Sequence, residues 1–118
     1  MWEKMKQRIE RKCRGYAGVD VFDLDMFIVK KCREPLKKFI RHQESKGMSL
    51  PVDFAEDPTQ WLLALAKIEY AFDEKTREME EAYLDEIHNL SKEEAKERRT
   101  RIQEGFELFG KYFQDLWD

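Results

Sequence analysis

The sequence predicts an all-α fold: a four-helix bundle or helical array with a long third helix and an aromatic-rich C-terminal helix. Three observations carry this. Apolar residues recur at helical spacing in four separate segments. Only five glycines and three prolines interrupt 118 residues. Charged residues make up 40% against 42% hydrophobic, the balance of helices that each keep one solvated face. Aromatic side chains, at 13%, set the chain apart from disordered sequences, and its length suits one domain over residues 1–118.

The first helix is expected over Trp2 to Arg14, where Trp2, Met5, Ile9 and Cys13 form an apolar stripe. Gly15 and Gly18 end it. The second is expected from Asp20 or Asp23 to Lys46, on a stripe of Leu24, Phe27, Ile28, Cys32, Leu36, Phe39 and Ile40. Pro35 falls inside it and predicts a kink or break near Arg33 and Glu34. Gly47 closes this segment. The stretch GMSLPVDFAED is then a loop, expected to cross the core as extended chain because Pro51 argues against a strand.

Asp57 and Pro58 open the third helix as N-cap and first helical residue. Its stripe is Trp61, Leu62, Leu65, Ile68, Phe72, Met79, Tyr83 and Ile87, so it can run unbroken to about His88, although DEKTREMEE makes its middle polar. Ser91 and Glu94 match the capping box that opens a fourth helix. There Ile102, Phe106, Phe109, Phe113 and Leu116 recur at 4, 3, 4 and 3. Gly105, at the edge of this stripe, predicts a close helix approach, and Gly110 a contact on a second side. With Leu108, Tyr112 and Trp117 off the stripe, this helix either lies at the centre of the bundle or enters a second interface.

Charge divides along the chain. Residues 1–46 hold 13 Lys and Arg against 7 Asp and Glu, a net of +6; residues 47–118 hold 9 against 18, a net of −9. Basic stripes run along Lys4, Arg8, Arg11 and Arg14 on the first helix and along Lys30, Arg33, Lys37 and Arg41 on the second. Arg98, Arg99 and Arg101 precede the aromatic seam. Two readings of these stripes stand side by side. They pair with acidic residues of the third helix such as Glu74, Glu78, Glu81 and Asp85, or they clamp phosphates beside a stacking aromatic. A pI near 5.5 and no helix-turn-helix pattern argue against sequence-specific DNA binding.

Enzyme chemistry finds little support. Cys13 and Cys32 fall on apolar stripes, where cysteine acts as a small buried hydrophobe, and neither belongs to a CxxC pair. Asp85 and His88 have the i, i+3 spacing of a di-iron helix, but the rest of such a ligand set is missing. There is no P-loop, dinucleotide fingerprint or zinc pattern. No catalytic residue, metal or cofactor is therefore expected. The segment MWEKMKQRIERK lacks the apolar stretch of a signal peptide, and no run reaches the length of a membrane span. The expectation is a protein without a membrane partner.

The segment IQEGFELFGKYFQDLWD, residues 102–118, resembles the C-terminal signature of a family of small bacteriophage proteins, which typically end in Gly-Leu-Glu-Leu-Phe-x-Lys-Tyr-Phe-x-x-Leu-Trp. Phe106 stands where that pattern has leucine. Gly105, Glu107, Leu108, Phe109, Lys111, Tyr112, Phe113, Leu116 and Trp117 fit. IEYAFD, residues 68–73, and FDLDMFIVKKCREPLKKF are similar to the family's earlier helices. The resemblance implies a phage accessory protein working in the host cytoplasm, and it supplies no catalytic motif. Three roles follow. The first is counter-defence by sequestering a host nucleotide immune signal at an oligomer interface, the protein then being a homo-oligomer. Lys30, Arg33, Lys37, Arg41, Arg98 and Arg101 would contact phosphates, with Tyr112 or Trp117 stacking the base. The second is an inhibitor or adaptor of a host defence protein, and the third a virion assembly protein.

Overall fold

Two helix starts in this chain follow capping side chains, Asp57 and Ser91. The computed structural model describes residues 2–45 and 50–117. Its helices are α1 Trp2–Arg14, α2 Gly18–Phe22, α3 Leu24–Ser45, α4 Pro58–Arg77, α5 Glu81–His88 and α6 Lys92–Lys111; single 3-10 turns lie at Val52–Phe54 and Phe113–Asp115. Among the described residues there is no strand. The Asp57 carboxylate accepts from the Gln60 N–H at 3.4 Å and opens α4. At α6, Ser91 Oγ accepts from the Glu94 N–H at 3.1 Å, and Glu94 accepts from the Ser91 N–H at 3.2 Å. Both starts are those the sequence predicts. Gly15, at φ +88°, supplies the left-handed residue that ends α1, whereas Gly18 opens α2. The Lys46–Ser49 stretch, including the expected stop at Gly47, lies outside the described residues.

The centre of the molecule is α4. Trp61, Ala64, Leu65, Ile68, Ala71 and Phe72 are buried, a stripe wide enough to receive α3 on one side and α6 on the other. Each large side chain in it contributes roughly 1.5–3 kcal/mol by leaving water. The expectation placed the C-terminal helix either at the centre or at a second interface. It is not the central helix, because α6 is charged through its first two turns and contributes only Gly105 as a buried residue. The aromatic seam packs nonetheless: Phe72 meets Phe106 at 5.5 Å and Phe109 at 5.1 Å between ring centroids.

A second aromatic group closes the other end of the core. The chain before α4 does not cross as extended backbone. It winds into the 3-10 turn at Val52–Phe54, which brings Phe54 onto Trp61 and Tyr112 at 5.5 and 5.1 Å. Trp61 donates its indole N–H to Gln43 Oε1 at 3.2 Å, so the fully buried Gln43 amide is satisfied rather than stranded.

Three further expectations are narrowed or changed. Of the kink or break expected at Pro35, the break does not occur: α3 runs through it to Ser45. The lost backbone bond is outweighed by packing on both sides, where Val29, Leu36 and Ile40 are buried in the shared core. The long third helix divides into α4 and α5 at Glu78–Glu80, because its polar middle offers no apolar face to hold a continuous helix against a neighbour. Gly110 faces open space, with nothing within 4 Å of a Cβ added there, and so marks no second contact.

The Cα radius of gyration is 16.9 Å, against about 13–14 Å for a compact chain of this length. The difference places material outside the α3–α4–α6 core. α1 is one such projection, as no residue in it is buried. Cys13, expected in a core, is exposed.

Candidate functional site

Cationic and aromatic side chains gather past the α4–α5 turn. The last turns of α4, Tyr83, Glu86 and Ile87 of α5 and the first half of α6 wall a cleft of about 340 Å³ there. α4 supplies Tyr70, Glu74 and Arg77; α5 supplies Tyr83, Glu86 and Ile87; α6 supplies Glu94, Glu97, Arg98 and Arg101. Two arginines stack on the two tyrosines. The Arg101 guanidinium sits 3.9 Å from the Tyr70 ring centroid, and that of Arg77 4.3 Å from Tyr83. Arg77 also pairs with Glu74 at 3.0 Å. Among the described residues Arg101 has no carboxylate partner, so it is the cation this cleft can offer to a ligand.

Arg98 is differently placed. Only 12% of its side chain is exposed, and it donates to Glu74 Oε2, the Glu74 carbonyl and Glu78 Oε1 at 3.2, 3.1 and 3.2 Å. It ties α6 to the end of α4 and is committed to the fold. The pairing of basic stripes with acidic Glu74 and Glu78, one of the two readings open from the sequence, describes this residue.

The same holds on the other side of α4. Arg33 Nε and Lys37 Nζ both donate to Asp73, at 2.7 and 2.9 Å, and Lys37 also approaches Glu69 at 3.5 Å. Partial burial pushes the Asp73 carboxyl up, but the hydrogen bonds from Lys37 and Arg33 outweigh it and hold its pKa below the ordinary value. The same contact raises the pKa of Arg33. Arg33 and Lys37 are therefore corrected from ligand-binding residues to the ionic seam between α3 and α4.

Tyr112 is likewise corrected. It is 6% exposed, wedged against Phe54 and Trp61, and its hydroxyl donates to Asp53 at 2.9 Å. With the Lys111 ammonium also over it, 5.2 Å from the centroid, a ring this buried leaves no room for a base to stack. Trp117 is exposed, but it follows the 3-10 turn that ends the last helix and does not line the cleft. Lys30 lines a different cleft with Arg11 and Lys31, between α1, α2 and α3. Arg41 is exposed near the end of α3. The eight expected residues are thus dispersed: Arg33 and Lys37 meet on Asp73, Arg98 and Arg101 share one cleft, and the other four lie elsewhere.

Tyr70, Arg77 and Tyr83 were missed by sequence reasoning. Their partners lie on other helices, and 31 residues separate Tyr70 from Arg101. Arg77 and Tyr83 stand six apart across a helix break, a spacing that carries no helical signal. For metal binding, no group of three or more His, Cys, Asp or Glu is disposed to hold an ion among the described residues. No helix there is long and apolar enough to cross a membrane. Comparison with family models, with curated proteins and with solved structures gives no match to this chain.

Proposed function

We propose that the protein is a non-enzymatic phage accessory protein that acts by binding a protein partner in the host through the α4–α5–α6 cleft. One observation carries this: the cleft is lined by both signs of charge. Arg77, Arg98 and Arg101 alternate with Glu74, Glu86, Glu94 and Glu97 around two tyrosines and the apolar Ile87 and Leu90. A polyphosphate would meet four carboxylates there, each repelling it. A stretch of polypeptide with mixed charge and an apolar side chain meets complementary groups, and tyrosine and arginine are the residues that anchor such contacts.

The nucleotide reading keeps one observation in its favour, the Arg101 guanidinium 3.9 Å above the Tyr70 ring and without a carboxylate partner among the described residues, where a single phosphate could dock. A pair of experiments separates the two. Affinity capture from host lysate with the wild-type protein and with Arg101→Glu should retain a protein that the variant loses. A thermal-shift panel of mono-, di- and cyclic nucleotides should be flat. A true nucleotide ligand at 100 times its dissociation constant adds about 2.7 kcal/mol and raises the melting temperature by several degrees. Such a rise, lost in Arg101→Glu, would replace the protein partner with a nucleotide.

A further inference from the structure

α1 is attached to the molecule by its polar side. Arg11 Nε and Nη2 donate to Asp20 Oδ2 and Oδ1 at 3.0 and 2.8 Å, and Glu10 accepts from the Gly18 N–H at 2.8 Å. Only Gln7 and Glu10 of this helix are even partly buried. At 100° per residue Gln7, Glu10, Arg11 and Arg14 share one flank, and Trp2, Met5, Ile9 and Cys13 occupy an arc of about 80° on the side away from it. The result is an inverted seating. Trp2 is 68% exposed, Met5 50% and Ile9 54%, while the charged flank faces the protein.

We propose that α1 is an amphipathic helix that lies on an anionic lipid bilayer, its outward stripe entering the boundary between headgroups and acyl chains. Charge is the first argument. The helix carries six Lys and Arg against two Glu, and Lys6 and Lys12 border the apolar arc on its two sides. Lysines in that position reach the headgroup phosphates while the stripe between them is buried. Those flanking lysines also argue against a second copy of the chain: stripe packed on stripe would set lysine against lysine along both edges.

Shape is the second argument. A protein groove that takes up an amphipathic helix encloses much of its circumference, and here one flank is already held by α2. A flat surface needs only the outward face. The stripe is also short, four side chains, far below the roughly 20 residues a side of a stable protein interface. Insertion of a few apolar side chains assisted by several cations suffices at an anionic membrane. Among the described residues no helix is long and apolar enough to cross a membrane, and α1 would lie on the bilayer rather than cross it.

The site is independent of the α4–α5–α6 cleft, so its test does not depend on the partner proposed there. The full-length protein would be sedimented with sucrose-loaded vesicles of phosphatidylcholine alone and with roughly one third phosphatidylserine. The expected result is binding to the anionic vesicles at least about tenfold tighter than to the neutral ones, weakened by raised salt. Met5→Ser with Ile9→Ser, and separately Lys6→Glu with Lys12→Glu, should each reduce it about tenfold or more. Since no α1 residue is buried, both variants should keep the wild-type melting temperature, which excludes misfolding as the cause. The proposal is overturned by failure to sediment with anionic vesicles, by equal binding to neutral ones, or by binding that neither variant changes. Failure to sediment together with a specific protein cross-link from Cys13 would overturn it in favour of a protein groove.

Discussion

Gly105 of α6 rests on the main chain of Lys67 in α4. A Cβ at Gly105 would overlap the Lys67 carbonyl oxygen and lie 2.5 Å from Ala71 Cβ, so the two helices approach as closely as glycine allows. Neither obstacle is a flexible side chain. Gly105→Ala must therefore force the helices apart, and its cost of about 1–3 kcal/mol from overpacking exceeds the roughly 1 kcal/mol gained in helix propensity. Gly110→Ala, on the same helix but facing open space, should stabilise by about 0.5–1 kcal/mol. Urea midpoints that move in opposite directions for the two substitutions would confirm the difference; a rise for both would show that the helices are not in contact at Gly105.

Asp73 holds Arg33 and Lys37 on α4, and its replacement by Asn should lower stability by about 1–2 kcal/mol at neutral pH by leaving two partly buried cations with only the longer contacts to Glu34 and Glu69. The same pair sets a pH dependence. Asp73 has a pKa below its ordinary 3.8 in the fold, so the unfolded chain binds the proton first as pH falls. The stability it contributes is complete above the unfolded value and is lost as pH drops through the lower folded value. Urea midpoints of Asp73→Asn should accordingly vary less between neutral pH and about pH 3 than those of the wild type.

Asp20 should behave likewise at the joint of α1 and α2. The hydrogen bonds from Arg11, then the Ala17 N–H, hold its pKa at about 2. The α1 attachment should therefore persist through mildly acidic conditions and loosen only toward that pH. Asp20→Asn should free α1 at all pH values: amide exchange within Trp2–Arg14 should rise while protection in α4 is unchanged, since α1 contributes nothing to the core. A loss of α4 protection would mean that α1 supports the core after all.

Pro35 sits exposed inside a helix that continues past it. Pro35→Ala restores the missing N–H and removes the ring, and should stabilise by about 1–3 kcal/mol. An unchanged or lower melting temperature would indicate that the ring fixes a bend on which the α3–α4 contact depends.

Tyr112→Phe should cost about 0.5–1.5 kcal/mol through the lost hydroxyl contact to Asp53, and Tyr112→Ala about 3–5 kcal/mol through the cavity left against Trp61 and Phe54. Neither substitution removes a group from the cleft. A partner lost from the folded Tyr112→Phe protein would instead place this ring in the binding surface.

Much of the helical framework was legible because its signals are local. Asp57 and Ser91 cap through hydrogen bonds to residues three positions on, and the stripe of Trp61, Leu65, Ile68 and Phe72 is a pattern within one helix. The candidate site was far less legible. Arg98 and Arg101 lie three residues apart, yet one is locked to Glu74 and Glu78 and the other stacks unpaired on Tyr70. Which fate each meets depends on a helix some 20–30 residues away.

By itself, then, the sequence determined the all-α class, the starts of α4 and α6 and the division of charge, all of which follow from interactions spanning a few residues. Only the tertiary structure decided that α4 and not α6 is central, that Tyr112 is core, that Arg33 and Lys37 are spent on Asp73, and that the stripe of α1 faces outward. An amphipathic pattern states that a helix has an apolar face. What that face meets is set by competition among all the faces in the chain, and in this fold α4 supplied the wider one and left that of α1 uncovered.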